Sequence, residues 1–344
     1  MENWQGMKIS DSKRKKHVLQ DISKVILKND LLLFDKSLEE QLAKQSAYLS
    51  PNEYEMYKRG KKLRPILLLL FARMVRGNET ELPARCYKAA SSLEMLHVAS
   101  LMHDDIIDDS NYRRNVQSVH RNRNIASAIV LGDMQFLQAV RGFVDSINFS
   151  NELELVQMIL DVAFDVSRGE MDEITAPQTE DYDQMRYRYL KTIERKTATL
   201  MGLACEAGVI LAGGKRTDAR RAGFVGRSFG MAFQIIDDVK DCIHKTADSG
   251  KDSHIDLKNR TLSLPIIYAL KNSESNSCLK TYMADNNKEL SQEIIRFVSN
   301  YGLVKAYECA RTYAYDALEY MDFFPHNHYS KCLNSLITEM VNNI

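Results

Sequence analysis

The chain has 344 residues, and its 46 lysines plus arginines balance 46 aspartates plus glutamates, giving a formal net charge of zero at pH 7. That balance excludes a global field aimed at nucleic acid or an acidic partner, and leaves charge-driven function to local clusters. Six prolines and fifteen glycines are too few for the turns of a sheet-rich fold, and favour long helices.

In chain order, the N-terminus "MENWQGMKISDSKRKKHVLQ" is basic but has no apolar stretch behind it, so no signal peptide is expected. Segment 17–47 places Val18, Ile22, Ile26, Leu31, Leu32, Leu33, Leu38 and Leu42 mostly three or four apart among lysines and aspartates, a helical period. The apolar run "ILLLLFA" at 66–72 is too short to span a bilayer, so no stable membrane insertion is expected. Segment 84–109 runs through Leu93, Leu96, Leu101, Ile106 and Ile107 without Gly or Pro. Helical spacing returns over 151–175, 180–212, 216–246, 262–272, 290–300 and 302–322, with breaks such as "AGGKRTD" and "ADSGKDSH". Strand-like alternation, solenoid-length repeats and Pro/Gly/Ser-rich linkers are absent. These features predict one all-α, single-domain helical bundle over 1–344, with residues 273–344 as structural helices. The six cysteines are scattered with no C-x-x-C pair, which predicts buried thiols in a reducing compartment, hence a cytoplasmic protein.

Two acidic motifs share one spacing. "LMHDDIIDDSNYRR" contains Asp104, Asp105 and Asp108, and "QIIDDVKD" contains Asp237, Asp238 and Asp241. Positions i and i+4 lie about 40° apart around a helix, so Asp104 stacks with Asp108 and Asp237 with Asp241. Gln234 lies one turn before Asp237 on the same side. A charged helix end would explain one such motif but not two, because aspartates near a helix C-terminus oppose the macrodipole. Carboxylates facing one another need a hard divalent cation, and oxygen-only donors favour Mg²⁺, whose shell is usually completed by water and phosphate oxygens. Cationic residues accompany the motifs: Lys61, Lys62 and Arg64 in "KRGKKLRP", Arg113 and Arg114 behind the first motif, Lys196 and Thr197 in "ERKTATL", and Lys251. Arginine grips diphosphate bidentately, and lysine acts as a point charge. His97 lies within about 20° of Asp104 around a helix, and faces the same side.

This constellation resembles the trans-isoprenyl diphosphate synthases, or polyprenyl synthetases. The likeness covers roughly residues 55–270 and rests on "GKKLRP", "EMLHVASLMHDDIIDDSNYRR", "LGDMQF", "KTATL", "FQIIDD" and "GKDSHIDL…LP", in the family's order. The resemblance implies a helical bundle around a deep central cavity, a homodimer, and three Mg²⁺ at the mouth. Asp104, Asp108 and Asp237, with Asp238 and Asp241 nearby, would hold metal on an allylic diphosphate. Arg113, Lys196 and Lys251 would bind that diphosphate, and Thr197 and Gln234 would line the reacting centre. Lys61, Arg64, His97 and Arg114 would bind isopentenyl diphosphate. The implied reaction is ionisation of the allylic C–O bond, attack by the isopentenyl double bond, and proton loss.

Two departures stand out. The family commonly reads D-L-x-x-G-K-x-T-L-P where this chain has "DLKNRTLSLP", with Arg260 and Thr261 in place of Gly-Lys; either a phosphate lysine is missing or Arg260 replaces it. The arginine pair is usually followed by glycine, and here by Asn115. Chain length should be set upstream of the first motif, where Ala99 and Ser100, then Leu96 and Met95, are small or aliphatic. By resemblance they leave room for about six to eight isoprene units (about C30–C40), though bulk deeper down could stop growth at about four, because a packed floor admits no further carbon. Three rivals are weaker. His103-Asp104 is the doublet of helical phosphohydrolases, which need more histidines than His17 and His97 supply upstream. A synthase-like terpene cyclase has no use for a second diphosphate site, and a non-catalytic subunit has no reason to keep both acidic motifs.

Overall fold

The computed structural model describes residues 18–78, 80–175, 181–243, 254–272, 277–285 and 289–342. The helices are, in order, α1 (Val18–Asp21), a π-helical turn (Ile22–Ile26), α2 (Lys28–Ala43), α3 (Pro51–Lys58), α4 (Leu63–Arg76) and α5 (Ala84–Ile107). After a small hairpin come α6 (Val119–Asn122), α7 (Ile125–Val144), α8 (Glu154–Ile174), α9 (Tyr182–Ile193), a π-helical turn (Glu194–Ala198), α10 (Thr199–Leu211) and α11 (Arg216–Ile243). The remainder is α12 (Ile255–Asn259), α13 (Leu264–Leu270), α14 (Ser277–Ala284), α15 (Gln292–Tyr301), α16 (Leu303–Met321) and α17 (His328–Asn342). No helix among the described residues is long and apolar enough to cross a membrane.

Two helices with no polar face lie at the centre. In α4, Leu67, Leu68, Leu69 and Leu70 are wholly buried, and in α10 nearly every side chain is. A helix that is apolar all round must be covered on every side. Full burial of one leucine is worth about 1.5–3 kcal/mol. α4 and α10 pack together, α5 lies against α2, α4 and α7, and α11 lies between α10 and α16. A buried clasp ties the first helices to one another. Arg73 on α4 donates from Nε and Nη2 to the two carboxylate oxygens of Asp30 on α2, at 2.9 and 2.7 Å. Tyr87 on α5 donates to the same carboxylate at 2.8 Å.

Close approach fixes one glycine of α11. A Cβ at Gly230 on α11 would lie 2.6 Å from Cα of Ala198, in the π-helical turn. Gly230→Ala should therefore lose about 1–3 kcal/mol of stability, by pushing α11 off that turn. Urea unfolding checks this, and an unchanged midpoint would refute the close-contact account.

Most of the predicted segments carry helices, but 17–47 is interrupted by the π-helical turn at Ile22–Ile26, and α3, α4, α6 and α12 fall outside the segments of helical spacing. The 180–212 segment is interrupted by the π-helical turn at Glu194–Ala198, and α7 also falls outside the segments of helical spacing. α7 buries Ala128, Leu131, Gln135, Ala139 and Phe143 on one side, yet Ile129, Val130 and Leu137 on the other side are exposed and apolar. With both faces apolar, the helix lacks the polar contrast that makes helical spacing visible.

Candidate active site

The first acidic motif ends α5. Asp108 is the C-cap residue, its N–H bonded to the carbonyl of Asp104 at 2.8 Å, and Asp109 turns the chain with φ +51°. Burial pushes the Asp104 carboxyl up to about 7, against the pull of Lys196, while Glu170 and Asp108 push it further. Asp108 is raised in the same way, by burial first. Acids that resist ionisation at a helix C-terminus gain strongly from a nearby cation.

Lys196 supplies part of that charge. Its Nζ lies 2.5 Å from Glu170 Oε2 and 3.0 Å from Glu173 Oε2, both on α8. Burial works against the ammonium, but Asp104, Glu173 and Glu170 outweigh it and raise its pKa. The π-helical turn lifts Lys196 and Thr197 out of the regular helical path, a device often found at functional sites. A Cβ at Gly169 on α8 would lie 2.8 Å from the Lys196 backbone nitrogen, so only glycine lets α8 come this close.

Beside this cluster lies a pocket rich in cations. Glu94, 1 % exposed, takes Lys62 at 3.3 Å and Arg114 at 3.2 Å on one oxygen. Arg64 is buried, its Nε has no hydrogen-bond partner, and burial lowers its pKa to about 10. Burial, then the charges of Arg64, Arg114, Lys62 and Arg113, hold the His97 imidazole well below its usual value, hence neutral at pH 7. Three buried or half-buried cations around one carboxylate leave positive charge uncompensated, which is what an anion site requires. Lys61 sits at the edge, its Nζ 5.7 Å from the Phe233 ring centroid on α11.

Arg113 and Arg114 part ways at a two-strand hairpin. β1 (Tyr112–Arg113) pairs antiparallel with β2 (Val116–Gln117), Arg113 opposite Val116. Arg114 and Asn115 form the turn with φ +55° and +59°. A two-residue hairpin turn of the type I′ seen here has positive φ at both positions, which fits glycine at 115 and explains why asparagine can stand there. Arg113 Nε donates to Asp105 at 2.6 Å, and Asp105 is wholly buried with its second oxygen unpartnered. Arg114 is committed to the fold: beyond Glu94, it donates to the carbonyls of Met56 at 2.9 Å and Arg59 at 2.6 Å.

The second motif divides likewise. Asp237 is exposed, whereas Asp238 points inward and accepts from Tyr189 Oη at 2.6 Å and Gln234 Nε2 at 3.0 Å. Thr197 Oγ1 donates to Gln234 Oε1 at 3.0 Å. Asp241 accepts the backbone N–H groups of Ile255 and Asp256, each at 3.1 Å, and so starts α12. Burial, then Asp241, raise Asp256 to about 7, with Glu173 and Asp237 pushing the same way. Glu173 thus stands between the two acidic groups.

Lys251 lies outside the described residues. Arg260 is engaged with the end of α14: its Nε donates to the Tyr282 carbonyl at 3.1 Å and its Nη2 to the Asp285 carbonyl at 3.0 Å. It also holds φ +57° at the family's glycine position. His103 points away from Asp104, towards Asp133 at 3.3 Å and the Ile129 carbonyl on α7, so the two do not form a metal-binding doublet. Ser92 and His103 stand where Cβ atoms at Gly142 and Gly132 of α7 would strike them. Leu96 and Ala99, wholly buried, share that face by helical spacing, as does neither Ser100 nor His97. Ser100, half-buried and bonded to the His97 carbonyl at 2.9 Å, lies on the Asp104 side.

Sequence reasoning passed over Glu94, Glu170, Glu173 and Tyr189, and named Asp105 in the first motif without a role of its own. Glu94 and Asp105 lie about 100° from the Asp104 line, a spacing that aims them at the arginines. For Glu170, Glu173 and Tyr189 the only signal was polarity facing inward on otherwise regular helices.

An all-helical bundle that sets a cation-rich pocket beside a cluster of aspartates has the parts to hold a metal ion and an anion side by side. Residues 45–300 match the polyprenyl synthetase family, and the chain belongs to it as a prenyltransferase of the polyprenyl diphosphate synthase class. It is 29% identical over 314 residues to heptaprenyl diphosphate synthase component 2 of Geobacillus stearothermophilus, covering 90% of this chain and 94% of the relative. It is 30% identical over 318 residues to a prenyl transferase of Cyanophora paradoxa, covering 92% and 95%. A decaprenyl diphosphate synthase from Rhodobacter capsulatus shares the fold with a TM-score of 0.80 at 22% identity, covering 95% of this chain and 99% of that one. So does a polyprenyl synthase from Caulobacter crescentus complexed with calcium and isoprenyl diphosphate, with a TM-score of 0.80 at 24% identity, covering 96% and 99%.

Proposed function

We propose that this enzyme, a single catalytic domain, condenses isopentenyl diphosphate head-to-tail with an allylic diphosphate to give a trans-polyprenyl diphosphate of about six to eight isoprene units. The carrying observation is the juxtaposition of two unlike charged clusters, one suited to an anion and one to a metal ion. One is the cation-rich pocket of Arg64, His97 and Lys62; the other is the acidic cluster around Asp104 and Lys196. Arg113 acts on His97 and Asp104 alike, and so lies within reach of both.

Mg²⁺ fits the second site, with three ions expected, because Asp104, Asp108 and Asp237 offer hard oxygen donors. Among the described residues no three such side chains close an ion cage by themselves, so diphosphate oxygens and water would complete the coordination. When bound, the metal neutralises charge on the departing diphosphate. Lys196 and Arg113 bind that diphosphate, and Lys251 is assigned with them. Arg64, His97 and Lys61 hold isopentenyl diphosphate; Arg114 and Lys62 shape the pocket through Glu94. Thr197 and Gln234 face the carbon that loses its leaving group. Asp241 starts α12 with one lone pair of each carboxylate oxygen, and the remaining lone pairs are the ones it would offer to a metal ion.

Incubation with Mg²⁺, labelled isopentenyl diphosphate and primers of increasing length tests this proposal. Label should appear in products of about six to eight units; a single product of four units would make the enzyme a geranylgeranyl-length synthase, and ring closure without label a cyclase. Ser100→Phe should shorten the product by one or more units, since among Met95, Leu96, Ala99 and Ser100 it alone faces the Asp104 side. Ala99→Phe should also shorten it if the growing tail reaches the α5–α7 seam. An unchanged distribution for Ser100→Phe would move the floor elsewhere.

We further propose a cytoplasmic homodimer. α7 exposes Val130 and Leu137, 57% and 71% accessible, and the adjacent α8 exposes Leu160 and Phe164, 53% and 66% accessible. Large apolar side chains exposed on two adjacent helices favour a cover, and a second copy supplies the same side chains by two-fold symmetry. Light scattering should give two chains for the wild type and one for Leu137→Asp. A wild-type monomer would refute the homodimer and leave this face to a different component.

A further inference from the structure

A chain of hydrogen bonds behind the reacting centre uses a tyrosine that the mechanism above does not. Tyr189 Oη on α9 donates to Asp238 Oδ2 at 2.6 Å, Gln234 Nε2 donates to Asp238 Oδ1 at 3.0 Å, and Thr197 Oγ1 donates to Gln234 Oε1 at 3.0 Å. Four side chains from α9, the π-helical turn and α11 are thereby locked in one order. We infer that Tyr189, acting through Asp238, is a positioning residue that fixes the amide of Gln234 against Thr197; this deepens the proposed reaction and rests on it.

The physical reason lies in the symmetry of an amide. Gln234 has a donor end and an acceptor end of nearly equal shape, and a half-turn about its last bond exchanges them. A partner that accepts on both oxygens removes that freedom. Asp238 receives Tyr189 on one oxygen and so presents the other to the Gln234 amide group. The Gln234 carbonyl then faces Thr197, whose hydroxyl must donate. Both groups assigned to the ionising carbon are thus oriented before substrate arrives, which is where preorganisation lowers a barrier. Asp238 is consumed by this duty, unlike its neighbour Asp237, which is exposed. The duplicated aspartates at 237 and 238 therefore have separate work, one towards the metal and one towards the amide.

The test is a double-mutant cycle on the full-length enzyme with Mg²⁺ and both diphosphates. Tyr189→Phe removes only the hydroxyl and should lower kcat roughly tenfold, with KM for each diphosphate unchanged within about twofold. Gln234→Leu should lower kcat at least as much. The double variant should be no slower than Gln234→Leu alone, since Tyr189 acts only through that amide. Multiplying losses would overturn the inference, because they would show Tyr189 supporting the fold or another group. If Tyr189→Phe fails to fold, Asp238→Asn serves instead. It should lower kcat with the Mg²⁺ concentration for half-maximal rate unchanged, and a large shift in that concentration would make Asp238 a metal ligand and sink the proposal. An active wild type with an additive cycle refutes this inference alone; an inactive wild type refutes the proposed reaction instead.

Discussion

Asp104→Ala should lower kcat by roughly 10²–10³-fold or more while leaving the fold intact, because it removes charge that acts only as the diphosphate departs. The expectation has two parts, and both follow from where the residue sits. Asp104 lies in the last turn of α5, against the negative end of the helix dipole, and burial raises its pKa to about 7. A carboxyl in that position costs the folded chain stability, so its loss should leave the unfolding midpoint level or slightly higher. Asp237→Ala should show the same split between activity and stability. Activity near wild type for either variant would remove the metal assignment. A collapsed midpoint with activity retained in the folded fraction would make Asp104 a structural acid.

Arg64→Ala should raise KM for isopentenyl diphosphate by roughly 10–100-fold, with much less effect on the allylic primer. A charge-assisted hydrogen bond to a buried anion is worth about 1.5–3 kcal/mol, and the bidentate grip of a guanidinium adds to it. Arg64 is the natural donor because it is buried with Nε unpartnered, whereas Lys62 and Arg114 are held by Glu94 and by backbone carbonyls. Steady-state kinetics with one substrate varied at a time separate the two effects. Equal rises in both KM values would mean that the pocket is not dedicated to the second substrate.

The legible part of this molecule was the part written as spacing. The helical period, broken by few glycines and prolines, led directly to α5 and α11, and D-D-x-x-D placed its first and last aspartates on one face of each. Spacing also placed His97 beside Asp104. What it could not show was commitment. Arg113 and Arg114 are adjacent and alike in sequence, yet one meets a buried carboxylate and the other is tied to the fold by Glu94 and two carbonyls. Asp241 repeats the spacing of Asp108 but caps α12 with both oxygens.

The two departures from the family pattern also became readable only through backbone angles. Asn115 and Arg260 both occupy left-handed positions where the family carries glycine. Asparagine tolerates that region well. Arginine does not, and its guanidinium compensates by holding the carbonyls at the end of α14. Ala99, Ser100 and Leu96 teach the same lesson for product length. Their sizes were plain, and helical spacing tells which of them faces the first motif, but that Leu96 and Ala99 are covered by α7 was not legible, because α7 has no polar face to betray it.

The central claim is that one chain binds two diphosphates side by side. Calorimetric titration of isopentenyl diphosphate into enzyme saturated with Mg²⁺ and a non-ionising allylic thiodiphosphate tests it most directly. One isopentenyl diphosphate should bind per chain with the analogue still in place, and Arg64→Ala should abolish that binding. Failure to bind, or displacement of the analogue, would contradict the two-site account.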